Sequence, residues 1–428
     1  MNQEIETHRS VDTGRRLDSW KEVAAYLGRD VRTVQRWEKT DGLPVHRVPG
    51  GKSRSVFASS SELDAWMAAG PRRRARRRWS VWAAAAAVIA AIAFGTLGRA
   101  ALRGPVSTVV IQSGSLIGLD TGQRELWRVE IPEASGGAVV SSAGVLLAGV
   151  NSDAKRDAFV RVHVQGDHAT ANSDVLYCLS DAGKLRWKQR LDDRLMFRSG
   201  EYGAPWITED MLVIGRGGSK RVAVAAHHDI WWPGILAILD GDGRVLHRFV
   251  NSGWITQLEV TRDGKYLLAA GVNNARDSAM LAVIDVDAPS GSSPEDSGSP
   301  FECVNCPAGR PARYFVLARS ELSRLAGGAL LKQTVDIHPD GTIVLRIPQD
   351  PKSATEAVYE FSSDLDLRRA SLSDGYWDWH RRLEAQQTVA HADRTCPERG
   401  GLAVASWDPA RGWRSWTAPL SANAAPLH

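Results

Sequence analysis

A short turn recurs through the larger, C-terminal part of this 428-residue chain, each time between apolar runs. Leu119-Asp120-Thr121-Gly122 leads to Leu126-Trp127, Ser180-Asp181-Ala182-Gly183 leads to Trp187, and Asp240-Gly241-Asp242-Gly243 leads to Leu246. The glycines closing these turns lie 61 and 60 residues apart. Similar turns occur at Asp263-Gly264 and Asp340-Gly341, followed by alternating runs such as Lys265-Tyr266-Leu267-Leu268 and Thr342-Ile343-Val344-Leu345. Apolar runs of this length broken by Asp and Gly are strands in hairpins. A hairpin recurring at this period predicts repeated four-stranded units, and hence an all-β propeller over 107–419.

The unit (apolar strand, Leu-Asp-Thr-Gly, then Leu-Trp) resembles the blades of quinoprotein-like and WD-repeat-like propellers, most clearly in its first two or three copies. The resemblance implies that Trp127 and Trp187 pack between neighbouring units. With about 310 residues and roughly 40–50 per blade, six to eight blades fit, and seven is expected. Some quinoprotein-like propellers are dehydrogenases holding a quinone and calcium. No adjacent-cysteine motif and no carboxylate cluster suited to calcium stands out here. His227-His228-Asp229 beside Trp231-Trp232 is the best ligand-like run. Neighbouring residues on a strand point to opposite faces, so loop and packing roles fit it better than a metal. Glu201, Trp206, Asn251, Trp254, Asn273 and Asn274 are candidates for a funnel mouth on polarity and aromaticity alone. No catalytic residue, cofactor or metal ligand is assigned.

Four cysteines are too few for a disulfide-built scaffold. Cys303 and Cys306 form a CxxC with Pro307 following, which excludes haem attachment; Cys178 and Cys396 stand apart. Zinc needs four ligands and no second close pair exists. A local Cys303–Cys306 disulfide is expected if the domain is exported, and a redox-sensing role for it is the alternative. The stretch 288–300, APSGSSPEDSGSP, reads as a surface loop just before them.

Charge divides the chain. Residues 1–78 carry 17 Lys and Arg against 10 Asp and Glu, the remainder 36 against 39. Six of those arginines form one run, Arg72, Arg73, Arg74, Arg76, Arg77 and Arg78; without it the first segment is barely basic. Directly after come twenty uncharged residues, 79–98, with Trp79 and Trp82 at one end. A helix of that length spans roughly 30 Å, the thickness of a bilayer core. The expectation is one transmembrane helix, with Arg72–Arg78, Trp79 and Trp82 at the interface with membrane lipids. The positive-inside rule then leaves the N-terminus cytoplasmic and exports the C-terminal domain across an inner membrane. An Ala-rich buried helix, an uncleaved export signal and a nuclear-localisation tail are the competing readings.

Between 17 and 70, Ser19 and Glu22 have capping-box spacing and open a helix stopped by Gly28. Asp30 caps a second helix, Val31 to Lys39, with Val31, Val34 and Trp37 on one stripe. Leu43 to Ala58 reads as a hairpin tipped by Lys52 and Arg54, and Ser61 and Asp64 open a third helix. The order helix, turn, helix, wing, helix resembles the winged helix-turn-helix domains of the MerR and excisionase type. By position, that resemblance implies base or phosphate contacts at Arg32, Thr33, Gln35 and Arg36. It implies phosphate contacts at Arg29, Lys39, Arg47, Lys52 and Arg54. One short recognition helix reads few base pairs, so pairing of two copies on double-stranded DNA is implied as well.

The whole reads as multidomain: flexible 1–16, a small α+β winged helix-turn-helix at 17–70, a basic segment 71–78, a span 79–98, a linker 99–106, a propeller 107–419 and a tail 420–428. The function expected is a membrane-anchored transcriptional regulator and not an enzyme. Its exported propeller would sense a ligand or protein, with homo-oligomerisation on DNA. Two alternatives stay open: an exported quinoprotein-like oxidoreductase, and a membrane scaffold in which both domains bind protein.

Overall fold

The computed structural model describes residues 14–47, 56–69, 104–137, 139–150, 155–165, 173–215, 220–228, 232–327, 332–350 and 355–420. The chain divides into two compact units, 1–90 and 91–428.

In the first unit Ser19 accepts a hydrogen bond from the Glu22 amide at 3.2 Å and starts α1 (Trp20–Tyr26). Asp30 accepts from the Thr33 amide at 2.8 Å and starts α2 (Val31–Thr40). Gly28 bridges the two helices at φ 61°, a conformation that a side chain would strain. Strand β3 (Val56–Ser59) pairs with β1 (Arg16–Leu17) and β2 (His46–Arg47) and leads directly into α3 (Ser60–Ala69). Leu17, Val23, Ala24, Val34, Leu43, Ala58 and Leu63 make its core.

The second unit is a succession of antiparallel sheets. The first holds β4 (Thr108–Gln112), β5 (Ser115–Leu119) and β6 (Glu125–Glu130). The second holds β7 (Val139–Ala148), β8 (Asp157–Gln165), β9 (Ser173–Leu179) and β10 (Leu185–Gln189). A separate hairpin follows, β11 (Leu195–Phe197) with β12 (Gly200–Tyr202). The third sheet runs β13 (Trp206–Ile214), β14 (Arg221–His228), β15 (Gly234–Leu239) and β16 (Val245–Asn251), with the short β20 (Gly291–Ser292) parallel to its edge. The fourth runs β17 (Ile255–Val260), β18 (Tyr266–Asn273), β19 (Ser278–Asp285), β21 (Arg313–Ala318), β26 (Leu402–Asp408) and β27 (Gly412–Ala418). The fifth holds β22 (Thr334–Ile337), β23 (Ile343–Pro348), β24 (Glu356–Phe361) and β25 (Leu367–Leu372). Two short helices, α4 (Glu321–Ala326) and α5 (Asp374–Ala385), follow β21 and β25.

The leading strands β4, β7, β13, β17 and β22 are successive neighbours, so the sheets fan out from a common inner edge, as in a propeller. Each sheet packs face-on against the next. Leu116 and Trp127 of the first meet Val160 and Tyr177 of the second, and Phe159 and Cys178 of the second meet Val224 and Ile235 of the third. Leu236 and Phe249 of the third meet Leu267 and Met280 of the fourth, and Leu281 and Phe315 of the fourth meet Leu345 and Tyr359 of the fifth. Central strands are therefore covered on both faces. β15, Gly-Ile-Leu-Ala-Ile-Leu, is buried throughout, which is why it reads as an unbroken apolar run. Each such Leu or Ile contributes roughly 1.5–3 kcal/mol.

Three expectations are corrected. Among the described residues of the second unit five sheets of three or more strands stand where six to eight blades were expected. The leading strands of successive sheets start 31, 67, 49 and 79 residues apart rather than a regular 40–50, the longer gaps holding the β11–β12 hairpin and, within the fourth sheet, the irregular stretch 293–310. The single-pass inner-membrane topology is not carried: among the described residues no helix is long and apolar enough to cross a membrane. The segment 79–98 lies outside the described residues, and eight of its twenty residues are alanine, a weakly apolar side chain. The described chain is mostly β, with five short α-helices and none that could cross a membrane, and not the helix-anchored arrangement expected.

Candidate functional site

Three arrangements in the second unit bring chemically active groups together. The first lies along the inner strands. Both β13 and β17 carry a bulge at their outer pairing, at Glu209 and Thr256 respectively. A bulge re-aims the extra residue, and such features cluster at sites. Glu209 meets His227 Nε2 at 3.2 Å and Lys332 Nζ at 3.6 Å. Burial alone would raise the Glu209 carboxyl; the His227 hydrogen bond, with Lys332 and Arg161 nearby, outweighs it and holds the group below its usual range. The buried Asp174 accepts from His163 Nδ1 and from the Thr208 amide, each at 2.7 Å. Arg161 donates to the Thr208 carbonyl. Burial lowers its guanidinium, which the charges of Asp174, Glu209 and Asp210 oppose. Signs alternate through this network, and its members answer one another.

The second arrangement is a cap built from segments about a hundred residues apart. The β11–β12 hairpin lies along the irregular stretch 293–310. Arg198 and Ser199 amides donate to Glu302 and Pro300 carbonyls, each at 3.1 Å, and the Val304 amide donates to the Met196 carbonyl at 2.7 Å. The Asn305 side chain accepts from the Met196 amide at 2.8 Å and donates to the Arg194 carbonyl at 3.0 Å. Cys303 and Cys306 are joined by a disulfide. Beneath, Trp232 touches Phe197, Tyr202 and Phe301 with ring centroids 5.1, 4.7 and 5.0 Å away. On the outer side Met196 is 39% and Val304 62% exposed. Arg194 and Glu201 pair beside them at 3.2 Å.

The third gathers Glu321, His380, His391 and Cys396, whose donor atoms all lie within 4.8 Å of one another. Glu321 opens α4, His380 sits on α5, and His391 and Cys396 follow in the segment after α5. His391 Nε2 is 3.2 Å from His380 Nε2 and 3.2 Å from Glu321 Oε2. Glu398 lies behind them. It accepts from the Glu321 amide at 2.6 Å and from the Tyr376 hydroxyl. Burial pushes the Cys396 thiol up, assisted by the Glu398 and Glu321 charges.

The candidates singled out in the sequence fall elsewhere. Asn251 and Asn273 are fully buried. Asn251 donates to the Gly253 and Val272 carbonyls and accepts from the Tyr314 hydroxyl at 2.7 Å, and Asn273 donates to Tyr314 and Glu295. Trp206 is buried with its indole donating to the Asp193 carbonyl at 3.0 Å. Trp254 stacks edge-on to His227, and Asn274 starts a short turn. Asn251, Asn273 and Trp206 thus tie the fold together from inside it. His227 joins the inner-strand network, while Asp229 and Trp231 lie outside the described residues. In the first unit Arg29, Arg32, Arg36 and Lys39 are exposed and Gln35 is half-buried. The Thr33 hydroxyl donates to Asp30 at 2.7 Å, and Arg47 pairs with Glu38 at 3.2 Å. Lys52, Arg54, Arg72, Arg73, Arg74, Arg76, Arg77, Arg78, Trp79 and Trp82 lie outside the described residues.

No family model matches the chain, and no curated protein matches it. Among solved structures it is similar to the Dos1 propeller, at 11% identity over 61% of this chain and 55% of that one, with a TM-score of 0.36. It is also similar to hydrazine synthase of Kuenenia stuttgartiensis, at 14% identity over 65% and 68%, with a TM-score of 0.35. The chain thus spans little more than half of the Dos1 structure. Likenesses this distant carry no activity across. The expected membership of a MerR- or excisionase-type DNA-binding family is corrected, since no family model matches the chain. The physical reason is in the charges. Outside the arginine run, residues 1–78 hold 11 Lys and Arg against 10 Asp and Glu, and the side chains of Thr33 and Arg47 are committed within the unit itself.

Proposed function

We propose that this chain is a binding protein whose propeller-like unit presents the 195–202 and 293–310 cap to a partner protein. The observation that carries this reading is the cap. An irregular segment of this length inside a compact domain usually serves a function, and here it is pinned by hydrogen bonds at both ends and tied by a disulfide. A rigid segment that holds Met196 and Val304 outward lowers the ordering cost of association. The Cys303–Cys306 bond supports an oxidising compartment, where such bonds persist. Binding is favoured over catalysis because the turn carboxylates are already engaged. Asp120 accepts from the Gly122 and Arg124 amides, and Asp240 from the Asp242 and Arg244 amides.

The test places a photo-activated cross-linking residue at position 304 of the full chain in its native cells, and at exposed Leu185 as a control. A discrete adduct from 304 that Met196→Glu abolishes is the expected result. Identical patterns from both positions would sink the reading.

A further inference from the structure

We propose that Glu321, His380, His391 and Cys396 form a zinc-binding site that fastens α4 and α5 to the fourth and fifth sheets. The inference is independent of the partner-binding reading.

The donor set comes first. Two imidazole nitrogens, one thiol sulfur and one carboxylate oxygen form the borderline mixture that suits zinc and disfavours calcium or magnesium. Four side chains on three separate pieces of chain converge, with every donor pair within 4.8 Å. In a tetrahedral zinc site with N and O bonds of roughly 2.0–2.1 Å and an S bond of about 2.3 Å, donors stand roughly 3.3–3.6 Å apart. The His380–His391 and His391–Glu321 separations, both 3.2 Å, are already close to those edges. The widest pair must close by roughly 1 Å.

Hydrogen bonding alone accounts poorly for this geometry. His391 Nε2 faces another ring nitrogen and a carboxylate oxygen at the same distance, yet it has one proton or one lone pair to offer. A shared cation satisfies all three groups together. His380 is fully buried with its Nε2 toward the cluster, and its Nδ1 has no hydrogen-bond partner to fix the tautomer. A ligating imidazole must be neutral, with its proton on the nitrogen that does not bind. A ring held by protein on only one side is free to adopt that tautomer.

Four protein donors leave no position for substrate, so the site is of the closed, structural kind. Its floor is apolar: Cys396, Tyr376, Trp377, Leu322 and Val389 belong to the core shared by the fourth and fifth sheets. Its rim is partly open, with the His391 and Glu321 side chains 24% and 33% exposed, which gives an ion a route in.

The experiment uses the full chain, purified without chelator and dialysed, with metal measured by mass spectrometry. About one zinc per chain is expected, with the content falling to background in Cys396→Ser and His391→Gln and unchanged in Cys178→Ala. Cobalt replacement should give a thiolate-to-metal charge-transfer band that Cys396→Ser removes while circular dichroism stays native. Folded wild-type chain that takes up neither metal would overturn the proposal. So would variants that keep their full zinc, since exposed histidines would then be the binders.

Discussion

The indole nitrogen of Trp187 donates to the carbonyl oxygen of Gly241, 54 residues ahead, at 2.9 Å. Trp127 does the same to Asp181, again 54 residues ahead, at 3.2 Å. In both cases a tryptophan on the outermost strand of one sheet reaches the turn of the next. In the third sheet the corresponding reach is made by His247, which bonds Ser290 at 2.9 Å. The repeated turn is thus a socket as well as a reversal, and the first two sheets are each keyed into their successor.

The socket needs a glycine. Gly243 sits at φ 82°, and a Cβ there would stand 2.5 Å from Trp187 Cδ2. Gly243→Ala combines backbone strain with overpacking and should cost roughly 1–3 kcal/mol. Urea unfolding of the full chain checks this. An unchanged midpoint would mean that the ring can swing away freely.

Asp120 gives the turns a pH signature. Hydrogen bonds from the Arg124 backbone and side chain, then from the Gly122 amide, hold its carboxyl below the usual range. A depressed carboxylate contributes stability above the unfolded pKa of about 3.9 and loses it as pH falls through the lower folded value. Asp120→Asn should therefore melt earlier than wild type near neutral pH, and the gap should close below about pH 4. A gap that persisted in acid would assign the loss to geometry instead of charge.

Tyr314 is the hub of the buried amides. Removing its hydroxyl in Tyr314→Phe deprives Asn251 Oδ1 of its 2.7 Å donor inside the core. The expected cost is about 1–3 kcal/mol, read from denaturant midpoints. Replacing Asn251 as well should add less than the sum of the separate losses, because the two share one network.

The cap makes a local prediction. Cys303→Ser with Cys306→Ser opens a loop of only a few residues, so global stability should drop by roughly 2 kcal/mol or less. Amide exchange should quicken at 302–306, and also at Met196, whose amide and carbonyl depend on Asn305 and Val304. Faster exchange confined to 302–306 would show that the hairpin holds its shape unaided.

The sequence made plain those features whose cause is local. Asp-x-x-Gly turns, the apolar run of β15 and the caps at Ser19 and Asp30 depend on neighbours a few residues away. The number of sheets was less legible, because insertions stretch the period without altering any turn. The buried amides misled for a physical reason: Asn251 and Asn273 are polar in order to satisfy interior carbonyls, and composition cannot separate that role from a wet funnel. The cap pairs residues about a hundred positions apart. In the four-donor cluster 59 residues separate Glu321 from His380; only the return of β26 beside β21 brings Cys396 near them. A close pair of cysteines was the wrong signal to seek, whereas His380, His391 and Cys396 within one short stretch was an available one.

The last two described strands extend the fourth sheet, at its outer margin, while the first sheet keeps three strands of its own. Tension applied beyond Leu420 would first break its bridge to Ala370 of the fifth sheet and then strip β27 from β26 rung by rung, from Ala418 back toward Gly412, like an opening zipper. No rung of the first sheet shares that load. An antiparallel pair peeled from its end breaks one rung at a time, so this margin should yield before the sheets behind it.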